Sequence, residues 1–351
     1  MAVVAPSLET DTNTGRMSSL SVVILNWNGI AHLRRFLGSV VECTPPEADI
    51  VVADNGSTDD SVEWVERTYP TVRIVRLDRN YGFAEGYDRA LRQIGSRYYI
   101  LLNSDVEVTP GWTEPLLRML ETDDSIGAVA PKLLSAEQRD RFEYAGASGG
   151  FIDILGYPFC RGRMLSYTER DCGQYDDPRE VFWASGAAMA CRAELFHELG
   201  GFDESFFAHM EEIDLCWRMQ LAGYRIMVEP RSVVYHLGGG TLPVSPRKLY
   251  LNHRNNLAMI LKCAPQGQRI LCALLRPLCD GAEALVHLLS GKPRNAWAIA
   301  RAWADFIRRH RTLTAERRSI VRRQKAKGIY RGSIILRYIF RGKRFDKMMQ
   351  R

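Results

Sequence analysis

No CxxC pair occurs in this chain, and its eight cysteines (43, 160, 172, 191, 216, 263, 272 and 279) follow no zinc-like spacing. In a chain of 351 residues they read as reduced, cytosolic thiols, which excludes a disulfide-stapled miniprotein. No apolar run is clean enough for a membrane-spanning helix, which needs about 20 mostly apolar residues. The best candidate, 270–289, carries Arg276, Pro277, Asp280 and Glu283, so an amphipathic surface contact is expected there instead. The opening stretch 1–19 is polar, lacks the apolar core of a signal peptide and is expected to form a flexible tail. No GxGxxG follows the first predicted strand, where Asn26-Trp27-Asn28-Gly29 stands, and no GxxxxGK[ST] loop occurs anywhere. Both absences count against dinucleotide and P-loop chemistry. No internal repeat is present.

What remains is ordinary globular chemistry, 46% apolar and 25% charged, enough for one large domain with an appendage or for two domains. The net charge of +6 conceals a division. From Lys262 onward there are 22 Lys/Arg against 5 Asp/Glu, whereas residues 1–261 hold 25 against 36. A basic tail of this kind can meet nucleic acid, anionic lipid or solvent.

From residue 21 the chain alternates β-branched runs with helical patterns. SVVILN (21–26), IVVAD (50–54), VRIVRL (72–77) and YYILLN (98–103) read as strands. Helices are expected at 29–42, near 60–68, and where Phe83, Tyr87, Ala90, Leu91 and Ile94 share a face. This rhythm predicts an α/β fold with an open, mostly parallel sheet, whose ligands sit beyond the carboxyl ends of the strands. Residues 137–181 break the rhythm, and a long functional or mobile loop is expected there. Ile213, Trp217 and Leu221 then mark a helix closed by Gly223, and 225–236 reads as a strand or two.

Acidic residues cluster at these strand and helix ends, each with two readings. Asp54, in DNGSTDD, either accepts hydrogen bonds from a nucleoside or braces a turn with Ser57 and Asp59. Asp105, in NSDVE, either holds a divalent cation or caps a turn. Glu211, Glu212 and Asp214 either perform acid–base chemistry or simply favour a helix N-terminus. His236, before a glycine-rich stretch, is either a ligand or structural.

The order of SVVILNWNG, VADNGSTDDSVE, RNYGFAEGYDRA, YYILLNSDVEV, the FWASG…HMEEIDLCWR block and VVYHLGGGT closely resembles glycosyltransferase family 2. More narrowly it resembles the rhamnosyltransferase-like branch of bacterial cell-surface polysaccharide synthesis. The resemblance covers about 20–262 and implies a GT-A (Rossmann-like) domain, with a basic α-helical extension at 263–351. It implies inverting, metal-dependent transfer of rhamnose or a hexose from a nucleotide-diphosphate sugar, dTDP- or UDP-linked. The acceptor it implies is a saccharide or polyprenyl-linked glycan, met at the inner face of the cell membrane, with Mg²⁺ or Mn²⁺ as cofactor. Carried over by position, Asp54 contacts the nucleoside, with Asn26, Asn80 and Asn103 on the donor side. Asp105 ends the DxD-type motif, here Asn103-Ser104-Asp105, and His236 completes the metal site. Glu212 takes the place of the catalytic base, with Glu211 as the alternative because the family's Glu-Asp pair is Glu-Glu here. Asp88 stands where relatives often carry Asn.

The chemistry asks for these residue types. A leaving diphosphate gains charge that a cation offsets, and an attacking hydroxyl must surrender a proton to a carboxylate within reach. A single inverting displacement needs one base, unlike the carboxylate pair of glycoside hydrolysis. Trp183, Ser185 and Gly186 are expected to shape the sugar pocket, with the hydrophobic core as the other place for Trp183. Arg254 is expected either on a diphosphate or in a surface ion pair. The 137–181 segment is the candidate acceptor loop or lid. In the tail, Trp297, Ala300, Trp303 and Ile307 form a stripe among arginines, fitting either anionic membrane contact or a helical hairpin packed on the body. Specific nucleic-acid binding is not expected, since clustered cations alone give salt-dependent attraction and the body is acidic. A sugar nucleotidyltransferase and an inactive sugar-binding scaffold are the competing readings.

Overall fold

The computed structural model describes residues 18–238, 245–340, 342, 344 and 345. Residues 1–17 of the expected tail and 239–241 of the glycine-rich stretch lie outside these. The expected alternation is realised as β1 (Ser18–Asn26), α1 (Ile30–Cys43), β2 (Asp49–Asp54), α2 (Ser61–Thr68), β3 (Arg73–Arg76), α3 (Gly82–Leu91) and β4 (Ser96–Asn103). Strand β1 starts one residue before the expected end of the tail.

Next come β5 (Val106–Val108), α4 (Thr113–Thr122), β6 (Ile126–Ser135), β7 (Gly150–Asp153), β8 (Pro158–Cys160), β9 (Arg163–Met164), β10 (Tyr167–Thr168), β11 (Arg179–Val181) and β12 (Ala188–Arg192). The remainder is α5 (Ala193–Glu198), α6 (Glu211–Ala222), β13 (Arg225–His236), α7 (Pro246–Cys263), α8 (Gln266–Leu289), α9 (Pro293–Ser319), β14 (Ile329–Tyr330) and α10 (Ile334–Phe340).

The main sheet runs β11-β13-β6-β12-β4-β1-β2-β3, with β5 added to the end of β13. The β3-β2-β1-β4 half is parallel, while β12 enters antiparallel between β4 and β6. Successive residues of the central strands serve opposite layers. Val22 and Ile24 of β1 pack with Leu33 and Leu37 of α1 and Leu116 of α4. Val23 joins Tyr99 and Leu101 of β4, Tyr87 of α3 and Trp217 of α6 on the other side. Burial on both faces is why these strands read as uninterrupted apolar runs.

Residues 137–181 are not the long loop expected. Four short strands within the segment build a second sheet, β10-β9-β8-β7-β14, whose last strand comes from near the C-terminus, with irregular chain between them. Strands of two to four residues carry too little periodicity to show in a sequence. Asp153, fully buried, accepts from the amides of Leu155 (3.0 Å), Tyr157 (2.8 Å) and Ile334 (3.0 Å), so it ties α10 to this sheet. Burial pushes its carboxyl up to about 6.

The C-terminal segment is clamped to the body by more than this. Arg317 and Arg322 donate to the last carbonyls of α7, including Lys262 O and Cys263 O, where cations oppose the helix dipole well. Helix α9 lies along α7, and Phe345 stacks into the aromatic cluster of Phe151, Phe159 and Tyr175.

Candidate active site

Because β1, β2 and β4 are parallel and in register, their carboxyl ends bring Asn26, Asp54 and Asn103 to one edge. Asn26 Nδ2 donates to Asp54 Oδ1 (3.3 Å) and Ser57 Oγ (3.1 Å), and Ser57 N donates to Asp54 Oδ2 (3.0 Å). Asn80 Oδ1 accepts from Gly82 N (2.8 Å) and Asn55 Nδ2 (3.3 Å), fixing the turn into α3. Asn26, Asp54 and Asn80 brace the loops at the edge and lie outside the wall of the main cleft. The bracing role weighed for Asp54 is therefore real.

The antiparallel pairing of β5 with β13 sets His236 opposite Val106, one residue past Asp105. His236 Nε2 lies 3.1 Å from Asp105 Oδ1, and its Nδ1 lies 3.3 Å from Glu143 Oε2. All three side chains are buried. Burial disfavours the charged imidazole, but the Glu143 and Asp105 carboxylates outweigh it and lift His236 to about 10. Burial likewise opposes ionisation of Asp105, and the His236 hydrogen bond and charge hold its carboxyl below the ordinary value. Asp105 Oδ2 is buried with no hydrogen-bond partner among the described residues.

The approach to α6 is strained. Phe207, His209 and Met210 have φ of 65°, 71° and 73°, a region that side chains with a Cβ rarely occupy. Helix α7 holds this turn: Asn255 Nδ2 sits 3.0, 3.0 and 2.7 Å from the carbonyls of Phe206, Ala208 and His209. Arg254 Nη2 donates to Ser205 O (2.8 Å) and Phe206 O (2.9 Å). The far side of the turn is equally fixed, because Phe207 O accepts from Phe83 N (2.6 Å). Gly82, at φ +81°, permits that approach; a Cβ there would meet Phe207 Cδ2 at 2.6 Å.

The result is that Glu211 and Glu212 start α6 with one oxygen each lacking a partner among the described residues. Burial, then the charge of Glu212, raises Glu211 well above the carboxylate range, and burial pushes Glu212 up to about 7. Asp214, the third acid of the cluster, is structural. It bonds Arg218 at 2.7 Å and Lys262 at 3.0 Å, in full burial.

A cleft of about 920 Å³ unites these parts. Asn103, Asp105, Trp183, Ser185, Gly186, Glu211, Glu212 and His236 line it, so eight of the expected residues converge. Asn26, Asp54, Asn80 and Arg254 do not line it. Trp183 serves both of the roles weighed for it: its ring borders the cleft, yet it is buried and its Nε1 donates to Phe151 O (3.0 Å). The Arg254 guanidinium engages the carbonyls of Ser205 and Phe206 and the Asn255 amide oxygen, at the turn that leads into α6.

Residues 21–196 match the model of Glycosyl transferase family 2. The chain belongs to that family. It is 30% identical over 235 residues to the N-acetylglucosaminyl-diphospho-decaprenol L-rhamnosyltransferase of Mycobacterium tuberculosis, an alignment covering 62% of this chain and 75% of the relative. In fold it is similar to GalNAc-T7 solved with UDP, GalNAc and Mn²⁺ (TM-score 0.59, 19% identity), over 75% of this chain and 51% of that one. It is also similar to S. aureus TarS 1-349 solved with UDP-GlcNAc (TM-score 0.53, 17% identity), over 86% and 91%. The architecture is thus that of a GT-A glycosyltransferase carrying a C-terminal helical region.

Sequence reasoning missed Glu143, His209 and Asn255. Glu143 sat in the segment read as loop. His209 lines the cleft, its Nε2 unpartnered among the described residues, and burial next to Lys248 lowers its pKa to about 4. Asn255 gave no signal beyond the NHRNN run. Asp88, noted as a departure from the family, accepts from Phe202 N at 3.0 Å and is raised to about 7 by burial.

Proposed function

We propose that this chain is an inverting glycosyltransferase that moves rhamnose or a hexose from a dTDP- or UDP-sugar to a hydroxyl of a lipid-linked saccharide. The observation that carries the reading is the convergence of Glu212 and Glu211, with their unpartnered oxygens, on the same cleft as Asp105, His236 and Asn103. A carboxylate titrating near 7 suits a general base, because it is ionised at neutral pH yet basic enough to take a hydroxyl proton. Glu212 is assigned that role. Glu211, also raised by burial and by the charge of Glu212, stands beside it as the alternative base.

The donor set of Asp105 and His236 fits a divalent cation. A buried carboxylate oxygen without a partner and an imidazole held by a second carboxylate are typical of a liganding pair and its support. Bound there, Mg²⁺ or Mn²⁺ would offset the charge that develops on the leaving diphosphate. His236 would then bind as neutral imidazole, oriented by Glu143, and Asn103 can offer its amide oxygen. Asp54 and Asn26 are assigned to the nucleoside edge; Asn80 supports them through Asn55. Ser185 and Gly186 shape the sugar pocket, walled by Trp183.

The relative's name, with its decaprenol-borne acceptor, supports a polyprenyl-diphosphate acceptor and work at the inner surface of the cell membrane. The domain limits proposed are 20–262 for transfer and 263–351 for the helical extension. The test is turnover of a panel of dTDP-, UDP- and GDP-sugars with a polyprenyl-diphosphate-GlcNAc acceptor. One donor should be consumed with inversion and only with a divalent cation. Glu212→Gln should abolish transfer while leaving donor-induced thermal stabilisation intact. Full activity in that variant would remove Glu212 from the mechanism.

A further inference from the structure

Helix α8 is built inside out. Its buried residues are Gln268, Cys272, Arg276 and Asp280, three of them polar. Arg276 donates to Leu155 O (3.0 Å) and pairs with Asp280 (3.2 Å), and Asp280 also accepts from Tyr157 Oη (3.1 Å) and Trp303 Nε1 (3.0 Å). The opposite face is apolar. Ile270, Leu274, Leu278, Leu285 and Leu289 are between 54% and 80% exposed, at spacings of four, four, seven and four residues. Between residues 270 and 289 no lysine or arginine points outward among the described residues. A soluble helix does the reverse, and contiguous apolar patches of this kind mark a surface that meets another phase or molecule.

We propose that this face of α8 lies in the headgroup–acyl boundary of an anionic membrane, as a monotopic contact. The charges around it select that occupant. The helix ends at Leu289 and is followed at once by exposed Lys292 and Arg294, and α9 exposes Arg301, Arg308 and Arg311. Such cations complement anionic lipid at about 1 kcal/mol each in the surface potential. A second copy of the chain would set this same positive region against itself, which like-charge repulsion disfavours. No described helix is long and apolar enough to cross a bilayer, so α8 lies along the surface.

The placement gives the cleft a direction. Arg276, Glu283 and His287 of α8, with Asn295 at the start of α9, line the far end of the same cleft that holds Glu212. A lipid-borne acceptor head would then enter the cleft along the helix that carries the leucine face. This last step rests on the transferase reading; the docking itself does not.

The test uses the full chain and sedimentation with vesicles of phosphatidylcholine, with and without phosphatidylglycerol. Wild type should sediment with anionic vesicles. The triple variant Leu274→Ser, Leu278→Ser and Leu285→Ser should lose on the order of 100-fold in partitioning, since these side chains are otherwise solvated. Its melting temperature and donor-induced thermal shift should match wild type. Lys292→Gln with Arg294→Gln should weaken binding to anionic vesicles alone. Wild type left in the supernatant, or a triple variant that binds like wild type, overturns the proposal. So does a concentration-dependent dimer that the triple variant dissolves without any vesicle binding, which would assign the face to a second copy. Absence of sugar transfer alongside normal vesicle binding would sink the transferase reading and leave the docking standing.

Discussion

Replacing Glu212 by Gln should make the protein inactive and, at alkaline pH, more stable. Raising this carboxyl from its ordinary 4.5 to about 7 means the folded state resists ionising it. The associated stability is fully present below about pH 4.5 and is lost as pH climbs through about 7. At about pH 8 the full difference is on the order of 3 kcal/mol, which the partial exposure of Glu212 reduces to about 2 kcal/mol. Gln is neutral at every pH and nearly isosteric, so it avoids that penalty. For a chain of this length about 2 kcal/mol corresponds to a rise in Tm of about 3 °C. Near about pH 4, where the acid is protonated in the folded chain and mostly so in the unfolded one, the two proteins should melt together. Turnover should fall by about 10²–10⁴, the usual contribution of a positioned base. Thermal melts at the two pH values, without donor or cation, read the first effect, and initial rates read the second. A variant that melts lower at both pH values would refute the account of a raised, strained acid. One that melts as expected but still turns over would refute the assignment of the base.

The same site carries three further expectations. Asp105→Asn should abolish the dependence of donor-induced thermal stabilisation on Mg²⁺ or Mn²⁺; stabilisation that still needs the cation would place the metal elsewhere. Asn255→Ala removes the amide that holds the Phe206, Ala208 and His209 carbonyls, with an expected loss of about 1–3 kcal/mol in denaturant unfolding. Its kcat should drop well below wild type while KM for donor barely moves, and a change in KM alone would argue against a positioning role. Gly82→Ala combines an unfavourable φ with a Cβ 2.6 Å from Phe207, so a loss of about 1–3 kcal/mol with impaired turnover is expected. An unchanged melt would show that the turn is softer than its hydrogen bonds imply.

The first half of the fold was readable because its signals are local. β1, β2 and β4 are apolar runs of parallel strands buried on both faces, β3 is the short edge strand beside them, and the helices between them keep a one-face stripe. The second half was not, because β12 inserts antiparallel between strands that are distant in sequence. The short strands β7 to β10 complete a sheet only when β14 arrives from near residue 330. At the site, strand-end acids were visible as residue types at turn positions. What the sequence could not show is that Glu143, tied to β6 by its amide, reaches His236 on the neighbouring β13, since nothing local marks that approach. Nor could it show that Arg254 turns toward backbone carbonyls. An arginine in a polar run reads the same whether it faces a phosphate or a strained turn.

The basic C-terminal segment shows why net composition misleads about orientation. Its charge excess suggested a cationic face with an apolar stripe through Trp297, Trp303 and Ile307. Some of the cations instead serve the fold: Lys262 and Arg276 are buried, and Arg317 and Arg322 cap α7. Trp303 turns its indole N–H to Asp280, while Trp297 and Ile307 remain 70% and 66% exposed. The expected hairpin packed on the body is therefore present, and the largest apolar face belongs to α8, a helix whose internal charges had argued against membrane insertion. The buried polar groups of that helix satisfy one another and the carbonyls of Ile154 and Leu155, which frees the leucines to face outward. An ion pair inside a helix thus excludes a spanning segment without excluding a surface one.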